Sequence, residues 1–263
     1  MQTPSISTEA ANDFLTRWSN QLNPQTHPNT SYMLNALNSS EQDLVTRYNR
    51  ALTTIIDHPQ AWAEVSSPEV VQAALKIARD PKKLFKSSSP SIQSDPSCIA
   101  VLFSRLSPQD VYVMYTCDEQ FVFLRSNPEI CLLAAEFCAV NKLPDLLIAM
   151  TTAVGGVPQQ GVIKAAILKI LSRLPEHEVY PTLFSEVSTS VKEDPEVIQS
   201  AARLCQPRHL PSLAKNVTDV QAVMIMLVRS EEREDAVNIM HNSRVSYPDN
   251  PDIQKAYKEA VRR

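Results

Sequence analysis

The chain has 263 residues, a formal net charge of −4 and a sequence pI of about 5.8. Apolar residues make up 43% of it and charged residues 21%, a globular composition that excludes a wholly disordered chain. The negative net charge argues against a general nucleic-acid-binding protein, which would carry a basic face. No stretch approaches the ~18 consecutive apolar residues of a membrane-spanning helix, so we expect no membrane span.

The N-terminal sequence and the pattern of cysteines predict the cellular compartment of the protein. The stretch from Met1 to Trp18 has no basic start followed by an apolar run, which a secretion signal would need. The five cysteines are odd in number, scattered, and without a Cys-x-x-Cys spacing, as expected for reduced thiols. They are Cys98, Cys117, Cys131, Cys138 and Cys205. We therefore expect a cytoplasmic protein.

Glycine and proline have unusual counts, 3 and 19. Hairpin turns and β-bulges use glycine heavily, so three glycines argue against a protein with many tight β connections. Loops that bind phosphate also need clustered glycines. Only Gly155 and Gly156 are adjacent, and no Lys-Ser or Lys-Thr follows them at the required place. Nucleotide binding by a glycine loop is therefore not expected.

The prolines recur in one local pattern that predicts helix starts. A short polar residue precedes the proline, a polar or acidic residue follows it, and an apolar helical pattern comes next. A side-chain oxygen before the proline accepts a hydrogen bond from a free N–H of the first turn, and proline at the first helical position loses no bond. The predicted starts are at Ser67-Pro68, Ser107-Pro108, Asn127-Pro128, Asp194-Pro195 and Asn250-Pro251. Thr218 with Gln221 predicts a further start by a capping box.

Four of these starts open similar segments. Each has the cap, the proline, an acidic residue, an apolar residue, and a small residue near the helix centre. Their prolines, Pro68, Pro128, Pro195 and Pro251, lie 60, 67 and 56 residues apart. Half of such a gap is close to the roughly thirty residues of one helix–turn–helix repeat. The sequence therefore predicts an all-α protein of stacked antiparallel helix pairs forming an α-solenoid-like array, with an unrelated helical bundle as the alternative.

Two stretches resemble known helical repeats. Residues 218–251 are similar to a tetratricopeptide repeat, with Ala236 at the small position that opens the second helix, Met240 at the following large position, and Pro248 closing the unit. Met224 departs from the small residue expected in the first helix. Residues 57–78 resemble HEAT-type repeats. These resemblances imply an α-solenoid that binds other proteins.

Two further stretches interrupt the pattern. Residues 87–97 are rich in serine and proline and predict a linker or exposed loop between an N-terminal helical segment, 1–86, and a C-terminal helical-repeat domain, 98–263. Residues 111–124 have the β-branched and aromatic content of a hairpin. Because a good helix start precedes them and the turn at 117–119 lacks glycine, we predict two short helices there, with one short β-hairpin as the alternative.

The chain shows no recognisable catalytic set, metal site or cofactor motif. Its five histidines are far apart, and none has a second ligand at the spacing of a helical zinc site. Cys131 and Cys138 lie seven residues apart, which is more typical of packed core thiols than of a metal pair. Tyr112, Tyr115 and Phe121 could anchor a partner or belong to the core. We expect no enzymatic activity, no metal and no cofactor.

The one local charge signal is a basic cluster formed by Arg79, Lys82, Lys83 and Lys86. It could bind an acidic partner peptide, or a phosphate added at the neighbouring Ser89-Pro90. Alternatively, the cations only stabilise the C-terminal end of a helix.

These observations favour a non-enzymatic adaptor or scaffold whose helical-repeat groove binds a protein or peptide partner. Two alternatives stay open: a secreted bacterial effector or its helper, suggested by the Ser/Thr/Pro-rich first eight residues, and an enzyme with a non-standard all-α active site.

Overall fold

A computed structural model describes residues 68–78, 80–152, 160–185, 187, 189–215, 217–247 and 249–262. These residues form fifteen α-helices and three short 3-10 segments, with no strand among them. The predicted all-α class is confirmed. The chain divides into two compact units, residues 1–111 and 112–263, each described by itself below.

The described part of the first unit contains four complete helices and the start of a fifth. They are α1 (Pro68–Ile77), α2 (Pro81–Lys86), α3 (Pro90–Gln93), α4 (Pro96–Arg105) and α5 (Pro108–Thr116), which ends in the second unit. Helix α1 packs against α2 and α4. The fully buried side chains of α1 and α4 include Val71, Leu75, Ile99 and Leu102.

The Ser/Pro-rich stretch 87–97 is folded rather than extended. It contains α3 and the start of α4. Gln93 is buried, and its amide Nε2 donates hydrogen bonds to three carbonyls at the end of α2, those of Phe85 at 3.3 Å, Lys86 at 2.9 Å and Ser88 at 3.0 Å. The side chain of Gln93 therefore caps the C-terminus of α2. The domain boundary expected at this stretch stays a prediction.

The second unit contains the remaining helices. In chain order these are α6 (Pro128–Phe137), α7 (Leu143–Thr151), α8 (Gln160–Arg173), α9 (Glu176–Phe184), α10 (Thr189–Lys192), α11 (Pro195–Leu204), α12 (Leu210–Leu213), α13 (Val220–Arg229), α14 (Arg233–Asn242) and α15 (Pro251–Val261). The 3-10 segments lie at Glu119–Ser126, Val140–Lys142 and Pro207–His209. Helices α6, α8, α11, α13 and α15 pack in succession, each against the next.

Four of the five predicted Pro starts are confirmed, since helices begin at Pro108, Pro128, Pro195 and Pro251. The fifth, Ser67-Pro68, stays a prediction because Ser67 lies outside the described residues, although Pro68 itself is helical. The caps act as expected: the side-chain oxygen of Asn127, for example, accepts from the N–H groups of Glu129 at 3.0 Å and Ile130 at 3.4 Å. Prolines 81, 90 and 96 open three further helices that the sequence pattern did not include.

The capping box predicted before α13 was wrong by one residue. Asp219 is the N-cap, and its carboxylate accepts from the N–H of Ala222 at 2.7 Å. Thr218 lies one residue earlier and is exposed. An aspartate beside the helix start is a better acceptor than a threonine hydroxyl because its charge also interacts with the positive end of the helix dipole.

Residues 111–116 and 119–124 are helical, so the β-hairpin alternative was wrong. They belong to α5 and to the 3-10 segment at Glu119–Ser126, with a two-residue connection at 117–118. Val111, Met114 and Tyr115 are fully buried on one face of α5, at the spacing of a helix. The β-branched and aromatic residues in this stretch therefore form core contacts of a helix, and tertiary packing overrides their preference for strands.

The apolar stripes predicted from the sequence lie in the core. Ile198, Ala201, Ala202 and Cys205 are all buried on α11 and at its end. On α8 the buried residues include Ile163, Ala166, Ile167, Ile170 and Leu171, and Leu174 just after the helix is buried too. Burial of one such aliphatic side chain contributes about 1.5–3 kcal/mol.

Two sets of hydrogen bonds show that α11 and α13 run parallel. At the N-terminal end of α13, the N-cap carboxylate of Asp219 accepts from Nε2 of Gln199, in the middle of α11, at 3.1 Å. At the C-terminal ends, Arg229 Nη1 donates to the carbonyls of Ala202 at 2.7 Å and Cys205 at 2.9 Å. Arg229 is the last residue of α13, and Cys205 is the C-cap of α11.

The same arrangement recurs at two other helix pairs. Arg173, the last residue of α8, donates to the carbonyls of Ala135 at 2.5 Å and Cys138 at 2.9 Å at the end of α6. In the first unit Arg105, the last residue of α4, donates to the carbonyl of Ala78 just after α1 at 3.3 Å. We call these three contacts cross-helix arginine caps. The capped helices α1, α6 and α11 are three of the four segments that align in the sequence.

The arginine caps replace the glycine that commonly ends a helix. A left-handed glycine after the last turn normally lets the chain satisfy its own free carbonyls. Helices α6 and α11 instead end at Cys138 and Cys205, whose φ angles are −64° and −73° and whose ψ angles are extended. The chain leaves each helix directly, and the free carbonyls accept hydrogen bonds from Arg173 of α8 and Arg229 of α13. These helices can therefore end without a glycine, which is consistent with a chain that contains only three.

Candidate functional site

The basic cluster predicted as a partner site lies on α2. Lys83 is exposed, whereas Lys82 and Lys86 are half-buried; Arg79 lies outside the described residues. Lys83 and Lys86 lie in the last turn of α2, where positive charge interacts favourably with the helix dipole. Their use as a partner site stays a prediction.

Four of the five cysteines are buried thiols. Burial raises the pKa of Cys98 to about 12 and those of Cys138 and Cys205 to about 11. The pKa of Cys131 is also raised by burial, and its Sγ lies 3.1 Å from the hydroxyl oxygen of Tyr115. A protonated thiol is a poor nucleophile. The remaining cysteine, Cys117, is exposed beside Thr116.

The aromatic residues singled out from the sequence divide between core and surface. Tyr115 and Phe121 are fully buried, and burial raises the pKa of Tyr115. Tyr112 is half-buried, and Lys142 Nζ lies 5.2 Å from the centre of its ring. A cation over a ring face is favourable by about 0.5–1 kcal/mol at an exposed site. Core packing therefore accounts for two of these three residues.

A group of side chains that the sequence reasoning did not assemble lies around α9. Tyr180 and Phe184 are one helical turn apart, so their rings lie on the same face of α9. The two rings stack with centroids 4.8 Å apart at an interplanar angle of 27°. His209 stacks on Tyr180 with centroids 5.1 Å apart and an angle of 7°. Rings of two chain segments thus form one continuous stack.

The position of His209 is set by the backbone before it. The N–H of Gln206 donates to the carbonyl of Glu176, the first residue of α9, at 3.2 Å. Pro207 then begins the 3-10 segment that ends at His209, and the following residue, Leu210, is fully buried. This bond and this buried anchor hold the imidazole over the ring of Tyr180.

A cation lies beside each outer ring of the stack. Arg208 Nε donates to His209 Nε2 at 3.3 Å, so this imidazole nitrogen is unprotonated. Burial, and to a smaller extent the Arg208 charge, lower the pKa of His209. Beside the other outer ring, that of Phe184, Lys192 Nζ lies 5.9 Å from the ring centre and donates to the carbonyl of Ser185 at 3.0 Å. We call Arg208, His209, Tyr180, Phe184 and Lys192 together the aromatic row.

The aromatic row is partly open to solvent. Arg208 is exposed, and its other four members are half-buried. Aromatic and arginine side chains contribute most of the binding energy at protein interfaces. The row therefore combines half-buried rings with two cations on a surface that solvent can partly reach.

Only part of the aromatic row could be found from the sequence. Tyr180 and Phe184 have the i, i+4 spacing of a helical pair, and that spacing was the available signal. His209 lies 29 residues beyond Tyr180 in the sequence, and only the tertiary contact between Gln206 and Glu176 brings it onto the same stack.

Across the described ranges, no three His, Cys, Asp or Glu side chains are grouped in a way that could hold a metal ion. Nor does any helix in those ranges combine the length and the apolar character needed to cross a membrane. Comparison with known proteins matched no family model, no curated protein and no solved structure.

Proposed function

We propose that this protein is a non-enzymatic adaptor or scaffold of the cytoplasm, with degenerate tetratricopeptide- or HEAT-like helical repeats that present a binding surface to a protein or peptide partner. The observation that carries the proposal is the aromatic row. It places a stack of half-buried rings between two cations on the surface of α9 and the neighbouring 3-10 segment.

The architecture supports the same function. Helices that pack in succession, each against the next, expose a long surface in proportion to their number, and such surfaces are used for protein binding. The three cross-helix arginine caps occur at equivalent positions of three aligned segments, as expected for copies of one structural unit. An adaptor needs a rigid array of helices and an accessible group of side chains to which the partner binds.

The test compares three forms of the full tagged chain in cells of the source organism. They are the wild type, the double variant Tyr180→Ala/Phe184→Ala, and the control Phe123→Ala. Phe123 is a suitable control because it is also a solvent-accessible phenylalanine, 43% exposed, and lies outside the aromatic row. Circular dichroism first confirms that all three forms are folded.

Co-purifying proteins are then quantified by mass spectrometry with stable-isotope labelling. We expect a partner that is enriched with the wild type and with Phe123→Ala, and depleted about 30-fold with the double variant, since truncating an interface anchor costs about 2 kcal/mol. Equal recovery with all three forms would show that the aromatic row is not the binding surface.

A further inference from the structure

We propose that the aromatic row binds an extended acidic segment of the partner, in which two carboxylates up to about five residues apart flank an aromatic or large apolar side chain. This inference rests on the proposed function and specifies the chemistry of its ligand. It follows from the order of groups along the row, which places a cation, three rings and a second cation in sequence.

The spacing of the carboxylates follows from the length of the row. The successive distances are 3.3 Å from Arg208 to His209, 5.1 Å from His209 to Tyr180, 4.8 Å from Tyr180 to Phe184 and 5.9 Å from Phe184 to Lys192. Because the groups need not lie on one straight line, these steps give an upper limit of roughly 20 Å for the separation of the two cations. An extended chain rises ~3.3 Å per residue, so a segment of up to about five residues spans the row.

Both cations have donors left for a carboxylate. Arg208 uses its Nε–H for His209, and a guanidinium has five N–H donors. Lys192 donates one bond to the carbonyl of Ser185, and an ammonium group has three donors. A carboxylate can therefore bind at either end without displacing the contacts that hold the row together.

The rings between the cations favour an apolar or aromatic residue in the middle of the segment. The faces of Tyr180 are engaged by His209 and Phe184, so a ligand meets the ring edges rather than an open face. The edge of an aromatic ring carries partial positive charge and packs well against the face of another ring. A tryptophan or phenylalanine of the ligand can make this edge-to-face contact.

Charge favours an acidic peptide over a nucleic acid. Phosphate backbones are bound mainly by several clustered cations, and binding of this kind falls steeply with salt. The row has only two cations, one beside His209 and one beside Phe184, rather than a cluster. Two separated carboxylates match this arrangement better than a continuous run of phosphates.

The test is fluorescence anisotropy of labelled probes with the full chain. The first probe is the peptide Glu-Ala-Trp-Ala-Ala-Glu, the second has Gln in place of both Glu residues, and the third has the two Glu residues adjacent. A ten-nucleotide oligothymidine is the fourth. We expect the first probe to bind about tenfold more tightly than the second, which loses two exposed ion pairs, and about threefold more tightly than the third, in which one Glu can still pair with a cation of the row.

Variants locate the binding. Arg208→Gln/Lys192→Gln should reduce the affinity for the first probe to that of the Gln peptide, whereas Phe123→Ala should leave it unchanged. Equal affinity for the first three probes, no binding of the first probe at 1 mM, or tighter binding of the oligothymidine would each overturn the inference. A cellular partner that needs Tyr180 and Phe184 but contains no such acidic segment would overturn this inference alone and leave the proposed function standing.

Discussion

Replacement of Arg229 by methionine tests the cross-helix arginine caps. The substitution keeps most of the apolar length of the side chain but removes the guanidinium that donates to the carbonyls of Ala202 and Cys205 at 2.7 and 2.9 Å. A hydrogen bond from a charged group contributes about 1.5–3 kcal/mol, and a buried carbonyl left without a partner costs about 1–3 kcal/mol. Because Arg229 is half-buried and water can reach part of the vacated position, we expect a loss of about 2 kcal/mol.

The assay is thermal unfolding of the full chain followed by circular dichroism at 222 nm. For a protein of this size 1 kcal/mol shifts the Tm by about 2–4 °C, so Arg229→Met should lower the Tm by about 4–8 °C. The control is Arg203→Met. Arg203 is an exposed arginine in the last turn of α11 and should contribute only the dipole interaction of about 0.3–1 kcal/mol.

Lysine variants test whether the arginine caps need only a positive charge or also the two separate nitrogens of a guanidinium group. Both bonds of Arg229 come from a single nitrogen, Nη1, so the ammonium group of Arg229→Lys can replace them. Arg173 uses Nη1 for one carbonyl and Nη2 for the other, so a lysine there can keep only one bond. We expect Arg229→Lys to retain most of the stability and Arg173→Lys to lose about 1 kcal/mol more. Equal Tm values for Arg229→Met and Arg203→Met would refute the capping argument.

Three further measurements test other parts of the structure. Cys117 should be the first of the five thiols to react with a disulfide reagent at pH 8 in the folded protein, because the other four are buried and have raised pKa values; rapid reaction of two or more thiols would contradict this. Asn127→Ala should cost about 1 kcal/mol in urea unfolding because the first turn of α6 loses its N-cap, and an unchanged midpoint would be inconsistent with that role. The pKa of His209 is lower in the folded chain than its ordinary value of about 6.5. The contribution of His209 to the free energy of unfolding is therefore fully present above pH 6.5 and is lost as the pH falls through the lowered pKa. His209→Phe keeps a ring over Tyr180 and should therefore lose less stability than the wild type between pH 7.5 and 5; an equal or larger loss would contradict the assigned shift.

The helix starts and apolar stripes were predictable because they depend on neighbouring residues. A capping side chain, a proline and an apolar stripe act within one or two helical turns, and the starts at Pro128 and Pro195 follow from them directly. The stretch 111–124 was ambiguous because its composition favours a strand and its preceding cap favours a helix. Burial of Val111 and Tyr115 on one face of α5 accounts for the helical outcome.

The helix ends and the aromatic row were not predictable in the same way. Arg173 is 35 residues from Cys138, and Arg229 is 24 residues from Cys205, so no local pattern identifies these arginines as caps. Likewise, His209 joins the row through a tertiary contact. Local rules describe how these helices begin, whereas long-range side-chain contacts determine how several of them end.

The most direct test of the central claim, that the aromatic row is the partner-binding surface, is site-specific photocrosslinking in cells. p-Benzoylphenylalanine is introduced in place of Phe184 in one strain and in place of Phe123 in another. We expect one discrete crosslinked partner from position 184 and none of it from position 123, since only the first lies in the row. The same crosslinked product from both positions, or from position 123 alone, would contradict the claim.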